Sequence, residues 1–296
     1  MDNYSVLMSV YYKEKSEYLR QAMDSMWEQT VPTDDFVLVC DGPLNEGLDA
    51  VIGEMQDRHS ELQVVRLEKN GGLGNALNEG LKHCKNDLVA RMDSDDIAFP
   101  DRCERQLNIF FSHPEVSICS GTILEFRDDV NNITGRRVLP QNDKEIKSFS
   151  HKRNPFNHPA VMLRRSAVNA AGGYNETYHL FEDYYLWIRM LRAGAKGYNI
   201  KEPILYMRTS EDLFIRRGGY CYTTDMLRFH RYLQSIGWAS PADFLLGAIP
   251  HAAVCVFPNN IRRKIYKKLH RGGVNEPFML PHDCYRLFLW DCEVAV

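Results

Sequence analysis

Three carboxylates fall within four residues at Asp93-Ser94-Asp95-Asp96, directly after the apolar run that ends at Met92. Like charges this close repel, so such a group persists only where water solvates it or a cation shares it. Two readings stand open. One is a solvated acidic turn capping a helix that begins near Asp101; the other is a seat for a hard divalent ion, Mn²⁺ or Mg²⁺, carrying a diphosphate. A second acidic pair, Glu182-Asp183, opens an aromatic amphipathic stretch. A carboxylate there is either a rigidly held general base or a helix-capping residue. Asp41 stands before Gly42-Pro43 and reads as a turn residue or as an acceptor for a base N–H. Asn70-Gly71-Gly72 with Gly74 misses a dinucleotide fingerprint because Leu77 stands where the third glycine is required. What survives is a turn feeding a helix N-terminus, suited to a phosphate or nucleoside, or a tight connection alone. His158 before Pro159 reads as structural.

The elements that must hold these residues alternate. Residues 5–10, 36–40, 62–67 and 88–92 are strand-like, and residues 18–29, 48–55 and 74–84 carry apolar positions at helical spacing. Four such beats predict an α/β fold: a mostly parallel central sheet flanked by helices, since parallel neighbours need crossovers. Ligands on such sheets sit beyond the carboxyl ends of the strands, where Asp41, Asn70, Gly71 and Asp93 all fall. Farther on, 116–121 reads as a strand and 123–139 as a polar hairpin turned at Asn131-Asn132. Residues 160–163 and 204–207 read as later strands with a helix over 183–193 between them.

With 296 residues, 44% hydrophobic and 25% charged, the chain is an ordinary folded one that needs no disulfide or structural metal for its core. Its eight cysteines show no C-x-x-C pair, and no signal peptide opens the sequence, so reduced thiols in a cytosolic protein are expected. The net charge of -3 is unevenly spread: residues 216–296 hold eleven Lys/Arg against six Asp/Glu. That asymmetry divides the chain into a catalytic part, 1–215, and a helical basic extension, 216–296, on the membrane or acceptor side. No transmembrane helix is expected, because the apolar stretch over 244–258 is interrupted by Pro250 and His251. Ile261, Ile265 and Leu269 form one stripe among Arg and Lys, which suits an interfacial helix on an anionic membrane or a solvated helix packed on the rest. Nucleic acid is not expected as a partner, since the chain is acidic and carries no reading motif.

Taken in order, these features resemble the family-2 glycosyltransferases, which adopt the nucleotide-sugar-binding glycosyltransferase A fold. The resemblance covers about residues 4–215 and rests on Asp41-Gly42, Asn70-Gly71-Gly72 with Asn75, Ala76 and Asn78, Asp93-Ser94-Asp95, His158-Pro159, Gly172-Gly173-Tyr174 and Glu182-Asp183. It is similar in variant to bacterial polysaccharide-assembly enzymes. The resemblance implies that Asp41 contacts the nucleotide base, Asp93 the ribose or the metal, and Asp95 the divalent ion, while Asp183 deprotonates the acceptor hydroxyl. It further implies a nucleotide-sugar donor of the UDP-sugar kind, a lipid-linked saccharide acceptor and a peripheral place on the inner face of the cell membrane. Cys40-Asp41-Gly42-Pro43 departs from the paired acids and Gly-Ser of many relatives. Arg208, Arg216 and Arg217 compete for the diphosphate without a preference. A nucleotidyltransferase on the same sheet and a non-catalytic sugar-nucleotide-binding subunit are the alternatives.

Overall fold

The computed structural model describes residues 3–178, 180–209 and 219–256. Strands β1 (Tyr4–Val10), β2 (Asp35–Cys40), β3 (Leu62–Arg66) and β4 (Leu88–Asp93) run parallel in the order β3-β2-β1-β4. Helices α1 (Ser16–Trp27), α2 (Glu46–Arg58) and α3 (Leu73–His83) make the crossovers. Because helices cover both faces, β1 and β2 are apolar almost throughout instead of alternating. Leu19, Met23 and Met26 of α1 and Val51 and Ile52 of α2 pack with Val6, Met8, Phe36 and Leu38 on one face. Ala76, Leu77 and Leu81 of α3 pack with Leu7, Val37 and Val39 on the other. A Cβ at Gly80 would lie 2.3 Å from Leu7 Cδ1, so the glycine sets how closely α3 approaches the sheet.

The sheet continues as β4-β8-β6-β9-β5 and becomes mixed. Its elements are β5 (Ile97–Ala98), α4 (Arg102–Ser112), β6 (Val116–Arg127), β7 (Asp129–Arg137), α5 (Asp143–Phe149), β8 (Met162–Arg164), α6 (Arg165–Ala170), α7 (Glu182–Arg192) and β9 (Lys196–Arg208). Strand β8 is antiparallel to β4 and β6, while β6 and β9 are parallel.

Two expectations need correction here. The hairpin turns at Asp128, whose φ of 62° is left-handed, with Arg127 opposite Asp129. Asn131 and Asn132 lie instead in a bulge between the Arg127–Asp129 and Phe126–Ile133 pairs. Aspartate tolerates this backbone as asparagine does, so the Asn pair was a misleading signal. Strand β9 is also longer than 204–207, because Pro203 sits at a register irregularity that lets the strand run on through it.

Helix α8 (Tyr220–Ser235) is followed by short helical segments at Pro241–Asp243, Phe244–Ala248 and Ile249–Val256. Met226, Phe229 and Leu233 of α8 share a core with Phe181, Tyr184 and Ile188, whereas Leu186, Trp187, Met190 and Leu191 of α7 pack toward the sheet. Helix α7 is therefore a wall common to two cores. Among the described residues no helix is long and apolar enough to cross a membrane. Cys40, Cys84, Cys103 and Cys119 are buried thiols outside any disulfide. Arg216, Arg217 and the basic stripe over 261–271 lie outside the described residues.

Candidate active site

Strand register alone brings distant acids together. Val10 pairs with Cys40 and Ser9 with Asp93, so Asp41 and Asp93 flank the end of β1 at one rim of the sheet. At ordinary interstrand spacing this puts them about 10 Å apart.

Asp41 is 4% exposed and uses both carboxylate oxygens. Oδ1 accepts from the Gly71 N–H at 2.7 Å and Oδ2 from the Gly72 N–H at 3.1 Å. Asn70 Nδ2 donates back to the Asp41 carbonyl at 3.2 Å. A Cβ at Gly42 would lie 2.6 Å from Asn70 N, which explains glycine there. Asp41, Asn70 and Gly71 are thus one hydrogen-bonded unit at the N-terminus of α3. Helix α3 is also clamped from its far side: Asn78 Oδ1 accepts the Tyr174 N–H and Asn78 Nδ2 donates to the Tyr174 carbonyl, each at 2.8 Å. Gly173 has a φ of 69°, and a Cβ there would meet Asn78 Oδ1 at 2.6 Å. Asn78 and the Gly172-Gly173-Tyr174 segment are therefore one contact.

The acidic cluster leaves β4 at Asp93. One oxygen each from Asp93, Asp95 and Asp96 lie within 4.8 Å of one another. Burial, then the charges of Asp93 and Glu14, push Asp95 up to about 7. Burial, then Asp95 and Asp93, raise Asp96 well above the carboxylate range. Asp96 Oδ1 accepts the Arg208 N–H at 2.8 Å, but its buried Oδ2 has no hydrogen-bond partner among the described residues. A set of crowded hard oxygens with an orphaned carboxylate oxygen fits a divalent cation, so Mn²⁺ or Mg²⁺ suits these residues. Asp96 is buried, which a wholly solvated turn does not explain, and Asp101 makes no side-chain cap to α4. Asp96 was not singled out from sequence, since nothing in the run of acids distinguishes it.

Arg208 is the arginine of the three that the described residues contain. Its Nε donates to the Asp95 carbonyl at 2.9 Å, and its guanidinium lies 3.8 Å from the Tyr18 ring centroid. Arg91 escaped the sequence reading altogether. It is 2% exposed, donates through Nη2 to Asp93, and shares a face with it because strand side chains two apart point the same way. Its Nε and Nη1 have no hydrogen-bond partner among the described residues.

Behind this pair His158 Nε2 meets the Tyr174 hydroxyl at 3.0 Å, and both rings pack on Trp187. Burial, with the Arg91 charge second, holds the His158 imidazole neutral well below its ordinary range. Burial raises the Tyr174 phenol; the Arg91 charge opposes the rise, and Asp183, Asp93 and Glu182 add to it.

Asp183 lies in the first turn of α7, where the helix dipole favours a negative charge. The N-cap is Phe181, without a side-chain cap. Asp183 Oδ2 instead accepts from Asn154 Nδ2 at 2.7 Å, and Oδ1 from the Tyr184 N–H at 2.6 Å. Asn154 was missed because it sits on an irregular segment with no periodic signal.

Residues 5–172 match glycosyl transferase family 2. The chain is 36% identical over 270 residues to the amylovoran biosynthesis glycosyltransferase AmsE of Erwinia amylovora, spanning 91% of this chain and 100% of that one. It is 35% identical over 268 residues to the UDP-Gal:alpha-D-GlcNAc-diphosphoundecaprenol beta-1,3-galactosyltransferase of Escherichia coli, spanning 90% and 96%. Its backbone is similar to that of the mannosyltransferase PcManGT from Pyrobaculum calidifontis in complex with GDP-Man and Mn²⁺, with a TM-score of 0.56, 16% identity, and 99% and 81% of the two chains covered. The architecture is the glycosyltransferase A fold, and the protein is a glycosyltransferase. It belongs to glycosyltransferase family 2, which sets aside the nucleotidyltransferase and non-catalytic alternatives.

Proposed function

We propose that this chain is an inverting, metal-dependent hexosyltransferase that uses a UDP-sugar and a lipid-linked oligosaccharide in capsule, O-antigen or exopolysaccharide synthesis, working peripherally at the inner face of the membrane. The observation that carries the reading is the cluster of Asp93, Asp95 and Asp96, one oxygen of each within 4.8 Å of the others, at the same rim of the sheet as Asp41. The names of the two relatives agree with it: one acts on a diphosphoundecaprenol-linked GlcNAc with UDP-Gal, and the other serves amylovoran biosynthesis. Residues 1–215 supply the catalytic part in this reading and 216–296 the acceptor-side extension.

Asp41, Asn70 and Gly71 form the nucleotide end. Each carboxylate oxygen of Asp41 keeps a second lone pair for a base N–H. Asp93, Asp95 and Asp96 would hold Mn²⁺ or Mg²⁺, which supplies charge neutralisation for the leaving diphosphate. Asp183 accepts the proton of the acceptor hydroxyl as that oxygen bonds to the anomeric carbon. The bond from that carbon to the diphosphate oxygen breaks, and its electron pair leaves with the nucleoside diphosphate. One base and one displacement invert the configuration.

The test is a thermal-shift comparison of UDP-, GDP- and dTDP-sugars with Mn²⁺, followed by transfer to a diphosphoundecaprenol-linked saccharide with the new linkage read by NMR. Selective stabilisation by a UDP-hexose and an inverted anomeric centre are expected. Retention of configuration, or a preference for another nucleotide, overturns the corresponding part of the reading.

A further inference from the structure

The segments over 241–256 break the usual rule for a surface helix, which is apolar inside and polar outside. Their inner positions Ala248, Ala252 and Cys255 are buried. Their outer positions, His251 excepted, are apolar as well: Leu245 is 62% exposed, Ile249 43% and Val256 62%. Ala253 is also exposed. From Phe244 to Val256 there is no Asp, Glu, Lys or Arg. The Gly219 N–H donates to the Cys255 carbonyl at 3.0 Å, which sets Tyr220, 82% exposed, beside the Val256 end. An exposed tyrosine at the margin of an apolar face is the pattern of a membrane-interface anchor.

Charge identifies the occupant. The sequence continues from this face into Arg262, Arg263, Lys264, Lys267, Lys268 and Arg271. Lys152 lies on the inner side, its chain against Gly247 and its ammonium 3.1 Å from Asp243. A neutral protein partner gives no reason for six cations directly after an apolar face, whereas an anionic lipid surface answers both features. Too short and too interrupted to span, the segment is suited to lie in the headgroup region.

We infer that the face formed by Leu245, Ile249, Ala253 and Val256, edged by Tyr220, inserts into the surface of an anionic bilayer. This rests on the peripheral-membrane part of the proposed function and names the element that performs it. The same helices share a core with Phe181, Tyr184 and Ile188, so insertion fixes the N-terminus of α7, and Asp183 with it, relative to the lipid surface.

The experiment compares the full chain with L245Q/I249Q/V256Q in co-sedimentation with phosphatidylglycerol-containing and with neutral phosphatidylcholine vesicles. Circular dichroism checks folding, and transfer is assayed on both a water-soluble short-chain acceptor and the vesicle-borne acceptor. The parent is expected to bind the anionic vesicles, and the triple variant at least tenfold less. The variant should keep its rate on the soluble acceptor and lose it on vesicles. Equal partitioning of both proteins overturns the inference, as does a parent dimer in sedimentation velocity that the variant abolishes. A second variant, I249E alone, gives the same reading where the triple variant folds poorly. Absence of transfer to either acceptor by the parent would instead count against the proposed donor and acceptor and leave the vesicle result intact.

Discussion

The side-chain amide of Asn154 donates to Asp183 Oδ2 at 2.7 Å, joining two residues 29 positions apart in the chain. The Tyr184 N–H holds the other oxygen at 2.6 Å, so the carboxylate is fixed from two directions. Displacing a reacting group by about 1 Å costs on the order of 10²-fold in rate.

Asn154→Ala is therefore expected to lower kcat by about tenfold to a hundredfold while the Kd for UDP stays within about twofold. Asp183→Asn, which removes the proposed base, should cost about 10² to 10⁴ in kcat. Calorimetric titration with UDP and steady-state kinetics separate the two effects; a parallel loss of UDP affinity in either variant would show that these residues bind the donor.

Arg91 and Asp93 should respond asymmetrically to mutation. Asp93 is about one-third exposed, at 34%, and Arg91 is 2% exposed. Removing the acid strands a guanidinium in the interior, whereas removing the guanidinium leaves a carboxylate that water still reaches. Asp93→Asn is expected to destabilise the fold by about 3 to 5 kcal/mol, and Arg91→Met by clearly less. Urea denaturation followed by tryptophan fluorescence measures both, and equal losses would remove the argument.

Ion-free protein should lose stability as pH rises through about 7. Asp95 and Asp96 bind their protons more tightly in the folded chain than their ordinary 3.8, so the stability linked to them is present at low pH and lost on ionisation. His158 and His230 work oppositely, because their folded values lie below 6.5 and their contribution is complete above that pH. The interval from about pH 6.5 to about pH 8 isolates the acids. Scanning calorimetry in chelator should show Tm falling there, and saturating Mn²⁺ should flatten the slope. Asp95→Ala should weaken Mn²⁺-dependent UDP binding, and identical titrations of parent and variant would refute its assignment.

The Asn78 clamp predicts a stability effect well away from the acids. Asn78→Ala leaves the Tyr174 N–H and carbonyl without the partners they now have, at about 1 to 3 kcal/mol for each buried group left unsatisfied. Gly173→Ala should cost at least as much, since its backbone is left-handed and its new Cβ meets Asn78. Thermal unfolding of the two variants and their double mutant tests this, because residues in direct contact should combine non-additively.

The parallel half of the sheet was legible because β1, β2 and β4 are apolar runs each followed by a polar or glycine-bearing turn. Asp41, Gly71, Asp93 and Asp95 were visible as candidates because the fold class says which ends of those strands face a ligand. Arg91 was not, since one basic residue inside a strand carries no sign of whether it snorkels or stays buried. Asn154 and the pairing of Asn78 with Tyr174 depend on loops whose approach no periodicity records. The hairpin turn and the full length of β9 were missed for a related reason: a left-handed aspartate and a tolerated proline are decided by neighbouring strands.

Helix α7 leans on the sheet through Trp187 and Leu191 and on the C-terminal helices through Tyr184 and Ile188. A chain cut just before Tyr220 would therefore strip one side of the helix that bears Asp183, the proposed base, and expose aromatic surface there. On the proposed roles, such a truncation separates donor recognition from acceptor activation, the former surviving where the latter fails.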